Sequence, residues 1–136
     1  MKEFLLDANV LVRFLVQDHP KQGPAATLLF EKAERREVAL HLDGLTVAEA
    51  VYVLVGHYGE QRSAVVKVLL AVIQNAGVET AEEEIVTDAL RRFAALNVDF
   101  PDAWLAARAA RSGHAVASFD RDLNKFKDIH RHEPAV

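Results

Sequence analysis

Near its start the chain reads Lys2-Glu3-Phe4-Leu5-Leu6-Asp7-Ala8-Asn9-Val10-Leu11. Residues 4–6 form an apolar run without polar alternation, which predicts a β-strand buried on both faces. After Asp7 the apolar residues recur at helical spacing, so the order is strand, carboxylate, helix. Ligands bind at the carboxyl ends of parallel strands, and Asp7 therefore stands where chemistry is expected. Taken alone, a helix cap by Asp7 or Asn9 is the better interpretation.

Length and composition narrow the class of protein. The 136 residues predict a single domain, residues 1–136, with one sizeable core. The longest fully apolar run, residues 68–73, is too short to cross a bilayer. The N-terminus lacks the pattern of a signal peptide and the chain has no cysteine, so we expect a cytoplasmic protein without a membrane segment. The formal charge of -4 argues mildly against a general nucleic-acid-coating surface.

The strand-then-helix order recurs along the chain. Further strands are predicted at residues 38–42, 78–80 and 114–119, with an edge strand near Ile129. Helices are predicted at residues 25–36, 46–58, 62–76, 82–96 and 103–112, followed by a short helix around Leu123 and Phe126. This alternation predicts an α/β fold, a three-layer α/β/α sandwich with a central parallel sheet.

One predicted helix is apolar nearly all round. Between residues 64 and 73 only Lys67 is polar. Such a helix is either buried on more than one side or covered by another protein. For an outer helix of a small domain, an interface is the preferred interpretation.

Acidic residues occupy four equivalent places, where a strand gives way to a helix or in the first turn of a helix. These are Asp7, Glu49, Asp102 and Asp120, and the last two are flanked by Asp99 and Asp122. A parallel sheet would bring them to one edge. Each has a structural alternative: a Thr46-x-x-Glu49 capping box, a cap by Asp99 with Asp102 in the first turn, and a cap by Asp120. The alternatives are less persuasive together, because Ser, Thr or Asn would cap as well.

Carboxylates crowded without a basic partner repel one another, and a divalent cation is their natural counter-charge. No Lys or Arg adjoins Asp7 or Glu49. Oxygen ligands without Cys, and without His at ligand spacing, indicate Mg²⁺ or Mn²⁺ rather than Zn²⁺. Such ions bind substrate phosphates, which suggests phosphodiester hydrolysis by one or two metals.

The charge balance is compatible with a phosphate polymer as substrate. Of the 20 acids, removing the six named above leaves 14 against 16 Lys and Arg. The bases near the acidic motifs could guide a nucleic-acid backbone. They are Arg13, Arg108, Arg111, Arg121 and Lys125. For any single one of them, a solvated helix face is the simpler interpretation.

Four segments resemble the motifs of the PIN domain, and more narrowly those of VapC-type toxins of bacterial toxin–antitoxin pairs. The segments are Leu6-Asp7-Ala8-Asn9-Val10-Leu11, Leu45-Thr46-Val47-Ala48-Glu49, Phe100-Pro101-Asp102-Ala103-Trp104-Leu105-Ala106-Ala107 and Ser118-Phe119-Asp120-Arg121-Asp122-Leu123. The resemblance extends from about residue 3 to about residue 130. It implies a PIN fold and an endoribonuclease that uses Mg²⁺ or Mn²⁺ to cut RNA.

The resemblance also implies roles and partners. Asp7, Glu49, Asp102 and Asp120 correspond to the family's catalytic, metal-binding acids. Auxiliary roles fall to four further residues, namely Asn9, Asp99, Ser118 and Asp122. The implied partners are an RNA substrate, a cognate antitoxin that occludes the site, and a second copy in a homodimer, with the apolar helix suited to either protein contact.

Other readings fit less well. A haloacid-dehalogenase-like phosphatase needs a second Asp where Asn9 stands, and a phospho-acceptor receiver domain needs a late Lys that is not evident. A non-catalytic PIN-like module that binds RNA or protein is disfavoured because all four motif acids are present. Asp43 is expected to be turn chemistry and Trp104 packing. The pair His130-x-His132 is expected to be solvated rather than a metal site.

Overall fold

The computed structural model describes all 136 residues and confirms an α/β fold. It contains six α-helices and five strands, and every strand pairing is parallel. The chain divides into two compact units, Met1–Glu83 and Glu84–Val136. The single domain over residues 1–136 stays a prediction.

The first unit is built on a three-stranded parallel sheet. Strands β1 (Lys2–Leu5), β2 (Val38–Leu42) and β3 (Val78–Thr80) lie in the order β1-β2-β3. In the register, Phe4 lies opposite Leu40 and Leu40 lies opposite Val78. Strand β2 is central, and four of its five residues are buried. Strand β2 is mostly apolar, as is typical of parallel strands that are covered on both faces, and this composition agrees with its burial.

The expected burial of β1 on both faces is wrong. Leu6 is buried, but Phe4 is 36% and Leu5 90% exposed. Strand β1 is an edge strand of its sheet, with β2 as its one hydrogen-bonded neighbour. Apolar composition alone predicted burial, whereas burial depends on what packs against each face.

Helices α1 (Ala8–Val16) and α2 (Gln22–Glu34) follow β1. They pack through Phe14 and Phe30, whose rings are stacked with centroids 4.0 Å apart.

The turn before β3 lies very close to the backbone of α2. A Cβ on Gly77 would clash with the carbonyl oxygen of Ala33, so only glycine fits there.

Helix α3 (Gly44–Val51) follows β2 and continues into a π-helical segment, Tyr52–His57. In this segment the backbone N–H of Tyr58 donates to the carbonyl of Val53, five residues earlier. Gly59 then adopts φ +67° and ends the helix. The predicted helix is present, but its second half has a wider turn than an α-helix.

Helix α4 (Arg62–Ile73) is buried along one side and open along the other. Leu69 is fully buried, whereas Val68 is 40% exposed. A substitution at Leu69 therefore reports on the core. The exposed apolar residues of this helix are the ones available to a partner.

The second unit holds the last two α-helices and a two-stranded parallel sheet. Its elements are α5 (Glu83–Ala95), α6 (Phe100–Ser112), β4 (Val116–Ala117), a 3-10 helix (Arg121–Lys125) and β5 (Arg131–His132). Arg92 on α5 binds Asp128 through two hydrogen bonds of 2.8 and 2.6 Å and binds Asp88 at 2.9 Å. Trp104 lies beside Phe100, with ring centroids 6.5 Å apart, as a packing residue.

None of the helices is long and apolar enough to cross a membrane.

Candidate functional site

The predicted acids gather in two groups, one in each unit. In the first unit, Asp7 and Glu49 line the same cleft of about 400 Å³. The other residues that line it are Ala8, Asn9, Val12, Arg13, Val53, His57 and Tyr58. The cleft thus contains carboxylates, an amide, a guanidinium and two aromatic rings.

Asp7 lies between β1 and α1 at the N-cap position, with extended backbone angles of φ -83° and ψ 146°. Its side chain makes no capping hydrogen bond. The interpretation of Asp7 as a mere helix cap is therefore wrong for its carboxylate. The side chain of Asp7 is exposed.

The capping-box alternative for Glu49 is also wrong. The N-cap of α3 is Asp43, whose Oδ1 accepts a hydrogen bond of 2.9 Å from the backbone N–H of Thr46. The hydroxyl of Thr46 instead donates to the carbonyl of Leu6 at 3.3 Å. Glu49 consequently lies beyond the first turn of α3, with its side chain exposed. Asp43, which had no assigned role beyond turn chemistry, caps the helix that carries Glu49.

Four polar residues form a hydrogen-bonded group that includes two residues of the cleft lining, Arg13 and Tyr58. The guanidinium of Arg13 donates to Gln22 Oε1 at 2.9 Å and to Asp18 Oδ1 at 3.3 Å. The hydroxyl of Tyr58 donates to the other carboxylate oxygen of Asp18 at 3.0 Å. This hydrogen bond to Asp18, with desolvation, raises the pKa of Tyr58. Asp18 thus holds both a cation and an aromatic ring of the cleft.

Sequence reasoning missed the aromatic residues of the cleft. His57 and Tyr58 contact edge to face, with centroids 4.9 Å apart and planes at 89°. The spacing of four residues from Glu49 to Val53 and again to His57 was a usable signal, because such residues share a helix face. The π-helical turn that adds Tyr58 to the lining had no signal in the sequence.

In the second unit, Asp102, Asp120 and Asp122 form a carboxylate cluster. One oxygen from each lies within 4.8 Å of the other two. Partial burial raises the pKa of Asp102, and the neighbouring charges of Asp120, Asp99 and Asp122 raise it further. Asp99 itself is not a member of the cluster, and its side chain makes no capping bond to α6.

Local hydrogen bonds fix the cluster. The backbone N–H of Asp122 donates to Asp120 Oδ1 at 2.9 Å, so the predicted cap by Asp120 is present. The backbone N–H of Asp120 donates to the hydroxyl of Ser118 at 2.9 Å. The Nζ atom of Lys125 lies 3.2 Å from Oδ1 of Asp122, and both side chains are exposed to solvent. Lys125, proposed as a guide for RNA, therefore already has an acidic partner.

The cluster suits a hard divalent cation. Its ligand atoms are carboxylate oxygens without a nitrogen or sulfur among them, which is the donor set of Mg²⁺ and Mn²⁺. Partial burial and, after it, the charges of the neighbouring carboxylates raise the pKa of Asp102, and a bound cation would relieve the repulsion among these carboxylates. His130 and His132, by contrast, belong to no group of candidate ligands.

Comparison with known proteins agrees with this geometry. The PIN domain family model matches residues 4–129, which includes all four acidic motifs. A search of curated proteins found no match for the chain. PIN domains are generally metal-dependent nucleases, and a nucleic acid is the implied substrate. The chain belongs to the PIN-domain family.

Proposed function

We propose that the protein is a metal-dependent endoribonuclease that hydrolyses RNA phosphodiester bonds. The observation that carries this proposal is the Asp102, Asp120 and Asp122 cluster in a chain of the PIN-domain family. Carboxylates without a metal ion repel a phosphate, so a bound cation is expected to favour RNA binding at this cluster. In this proposal the acids hold the metal ion, and none of them has to act alone as a general base.

Asp7, Glu49, Asp102 and Asp120 are the proposed catalytic metal ligands, with Asp122 as an auxiliary ligand. When bound, Mg²⁺ or Mn²⁺ would polarise the scissile phosphate and lower the pKa of a coordinated water. The support for Asp7 and Glu49 is that they line one cleft and that neither side chain makes a capping hydrogen bond. The support for Asp102 and Asp120 is their mutual approach.

The remaining polar residues position these acids. The backbone N–H of Asp122 donates to one oxygen of Asp120 and so fixes the orientation of that carboxylate. Ser118 holds the backbone of Asp120 and is proposed to orient that acid rather than to contact RNA. Asn9 shares the cleft with Asp7 and is proposed to position its ligands.

We further propose that the chain is the toxin of a VapBC-type toxin–antitoxin pair and acts in the cytoplasm. The support is the likeness of its four motif segments to those of VapC-type toxins. The exposed apolar residues of α4, among them Val68, are the proposed contact for an antitoxin or for a second copy in a homodimer. An apolar patch on an outer helix favours a protein contact.

Incubation of total RNA with the purified chain tests the nuclease proposal. Samples would contain Mg²⁺, Mn²⁺ or a chelator, and Asp7→Asn would be the matched control because it keeps the size of the side chain. We expect cuts at a few discrete positions that disappear with the chelator and in the variant. Intact RNA in every sample, together with no binding of Mn²⁺ by calorimetry, would favour the non-catalytic module instead.

A further inference from the structure

We propose that Glu3, His41 and Glu79 form a binding site for a transition-metal ion such as Zn²⁺. Each strand of the three-stranded sheet contributes one of these residues, so a bound ion would connect β1, β2 and β3. The inference goes beyond the proposed function, because none of the three residues lines the described cleft or belongs to the carboxylate cluster of the second unit.

The parallel register places the three side chains on one face of the sheet. His41 lies directly opposite Glu79 on the neighbouring strand. Glu3 lies opposite Ala39, two residues before His41, and side chains two residues apart on a strand point to the same face. Glu3 therefore approaches His41 diagonally across the strands, within reach of a long side chain. The fold thus brings together three groups that are far apart in the sequence.

The ring of His41 lies between the two carboxylates. Its Nε2 atom is 2.9 Å from Oε1 of Glu3, and its Nδ1 atom is 3.6 Å from Oε2 of Glu79. One ligand atom from each of the three residues lies within 4.8 Å of the other two. Ligand atoms bound to one tetrahedral Zn²⁺ ion are roughly 3.3 Å apart. The observed separations are close to this value, so one ring nitrogen and two carboxylate oxygens can meet around an ion by side-chain rotation.

The three side chains are accessible from solvent. Their exposed fractions are 58% for Glu3, 36% for His41 and 61% for Glu79. Glutamates with this exposure can change rotamer without disturbing the core. Water can fill the remaining coordination positions, as it does in Zn²⁺ sites that have three protein ligands.

The donor set distinguishes this site from the carboxylate cluster of the second unit. It combines an imidazole nitrogen with two carboxylate oxygens. Imidazole suits Zn²⁺ and other transition metals, whereas Mg²⁺ prefers oxygen ligands alone. Metal binding uses the neutral form of imidazole, so the ring and the two glutamates together offer the ion two negative charges. A divalent ion balances both of them.

A bound ion would stabilise the edge of the sheet. All four residues of β1 are exposed, and β2 is its one hydrogen-bonded neighbour. A metal bridge from Glu3 through His41 to Glu79 would tie this edge strand to the other two strands. Because β1 leads directly to Asp7, the bridge would also help to fix the position of that acid. An ion that binds only the folded protein raises its stability by mass action.

Calorimetric titration of the full chain with Zn²⁺ tests the site. Excess Mg²⁺ in every sample competes for the carboxylate groups but not for imidazole. The variants are His41→Gln, Glu3→Gln and Glu79→Gln. His114→Gln is the matched control, because His114 is exposed and belongs to no group of candidate ligands. The NMR signals of the His41 ring nitrogens, identified by their loss in His41→Gln, report ligation directly.

We expect wild type to bind Zn²⁺ with a shift of the ring-nitrogen signals of His41. Each of the three variants should weaken this binding at least about tenfold, since loss of an outer-shell partner alone typically costs that much. Glu79→Gln separates metal binding from hydrogen bonding, because it leaves the 2.9 Å contact between His41 and Glu3 in place. Thermal unfolding in chelator would show that each variant is folded. Added Zn²⁺ should raise the Tm of wild type more than that of His41→Gln.

A Zn²⁺ affinity of His41→Gln within about twofold of wild type would overturn the inference, as would an equal loss in His114→Gln. Absence of Zn²⁺ binding by wild type would also overturn it and would leave His41 as a hydrogen-bonded bridge between strands. None of these results would touch the proposed nuclease, which depends on metal-dependent cleavage of RNA by the wild-type chain.

Discussion

Asp43 Oδ1 accepts a 2.9 Å hydrogen bond from the backbone N–H of Thr46, and this bond makes Asp43 the N-cap of α3. Because Asp43 is the N-cap, Thr46 and Glu49 do not form a capping box. Asp43 is thus the acid that stabilises the helix, and Glu49 is the acid that lines the cleft. The two acids should respond to substitution in different ways.

Asp43→Ala should lower the free energy of unfolding by about 1 kcal/mol, because it leaves an N-terminal N–H of α3 without its acceptor. Chemical denaturation measures this loss. Asp43→Asn, which keeps an acceptor oxygen, should lose little. Glu49→Gln should leave the unfolding free energy nearly unchanged while lowering RNA cleavage. Equal stability of Asp43→Ala and wild type would show that the cap contributes nothing.

Asp102→Asn should stabilise the metal-free protein. The folded-state pKa of Asp102 is raised, so its ionised form at neutral pH opposes folding, and this penalty disappears as pH falls through that pKa. Removing the charge should raise Tm in chelator by about 2 °C. The extra stability that Mn²⁺ gives to wild type should be smaller in the variant. Glu84→Gln, which changes an exposed acid of α5 outside the cluster, is the control. A lower Tm for Asp102→Asn in chelator would contradict this description of the cluster.

Lowering the pH should destabilise the second unit, because Asp128 becomes protonated and loses its ion pair with Arg92. Its hydrogen bonds with Arg92 lower the pKa of Asp128, so the stabilisation is present above the ordinary Asp pKa and is lost as pH falls through the lower, folded-state value. Because the Asp128 side chain is 56% exposed, we expect a contribution of about 0.5 kcal/mol or less. The free energies of unfolding of wild type and Asp128→Asn, followed from pH 7 to about pH 2, should converge at low pH. A constant difference across that range would contradict the pairing.

Val68→Glu and Leu69→Glu should separate association from folding. Leu69 is fully buried, so a charge there should abolish folding or cost more than about 4 kcal/mol. Val68 is 40% exposed, and its substitution should leave the monomer folded. If α4 is a protein interface, Val68→Glu should weaken self-association in sedimentation measurements. A dimer unchanged by Val68→Glu would place the interface elsewhere.

Much of the first unit could be predicted because its signals are local. Strands β2 and β3 have the predicted bounds. Strand β2 is a short, mostly apolar segment followed by the turn pair Asp43-Gly44, and β3 follows the turn residue Gly77. The exposure of Leu5 could not be predicted, because burial of an edge strand depends on its neighbours rather than on its own composition. The π-helical turn was also hidden, since an α-helix and a π-helix share the same apolar pattern over a few residues.

The acids of the candidate site could be predicted from the sequence, whereas the residues around them could not. Carboxylates after strands and in first helical turns suggested Asp7, Glu49, Asp102 and Asp120, and the structure brings the first pair to one cleft and the second pair into one cluster. Their catalytic role stays a prediction. Asp18, which joins Arg13 to Tyr58, was missed because this contact spans 40 residues and leaves no periodic trace.

The rate of RNA cleavage as a function of Mn²⁺ concentration, compared between wild type and Asp102→Asn, tests the proposed nuclease most directly. Both proteins would be measured on the same RNA, with unfolding curves to establish that the variant is folded. We expect a rate that rises from zero in chelator to saturation in wild type and falls about 100-fold or more in the variant. Equal rates for the two proteins, or cleavage that persists in chelator, would contradict a metal-dependent nuclease built on these acids.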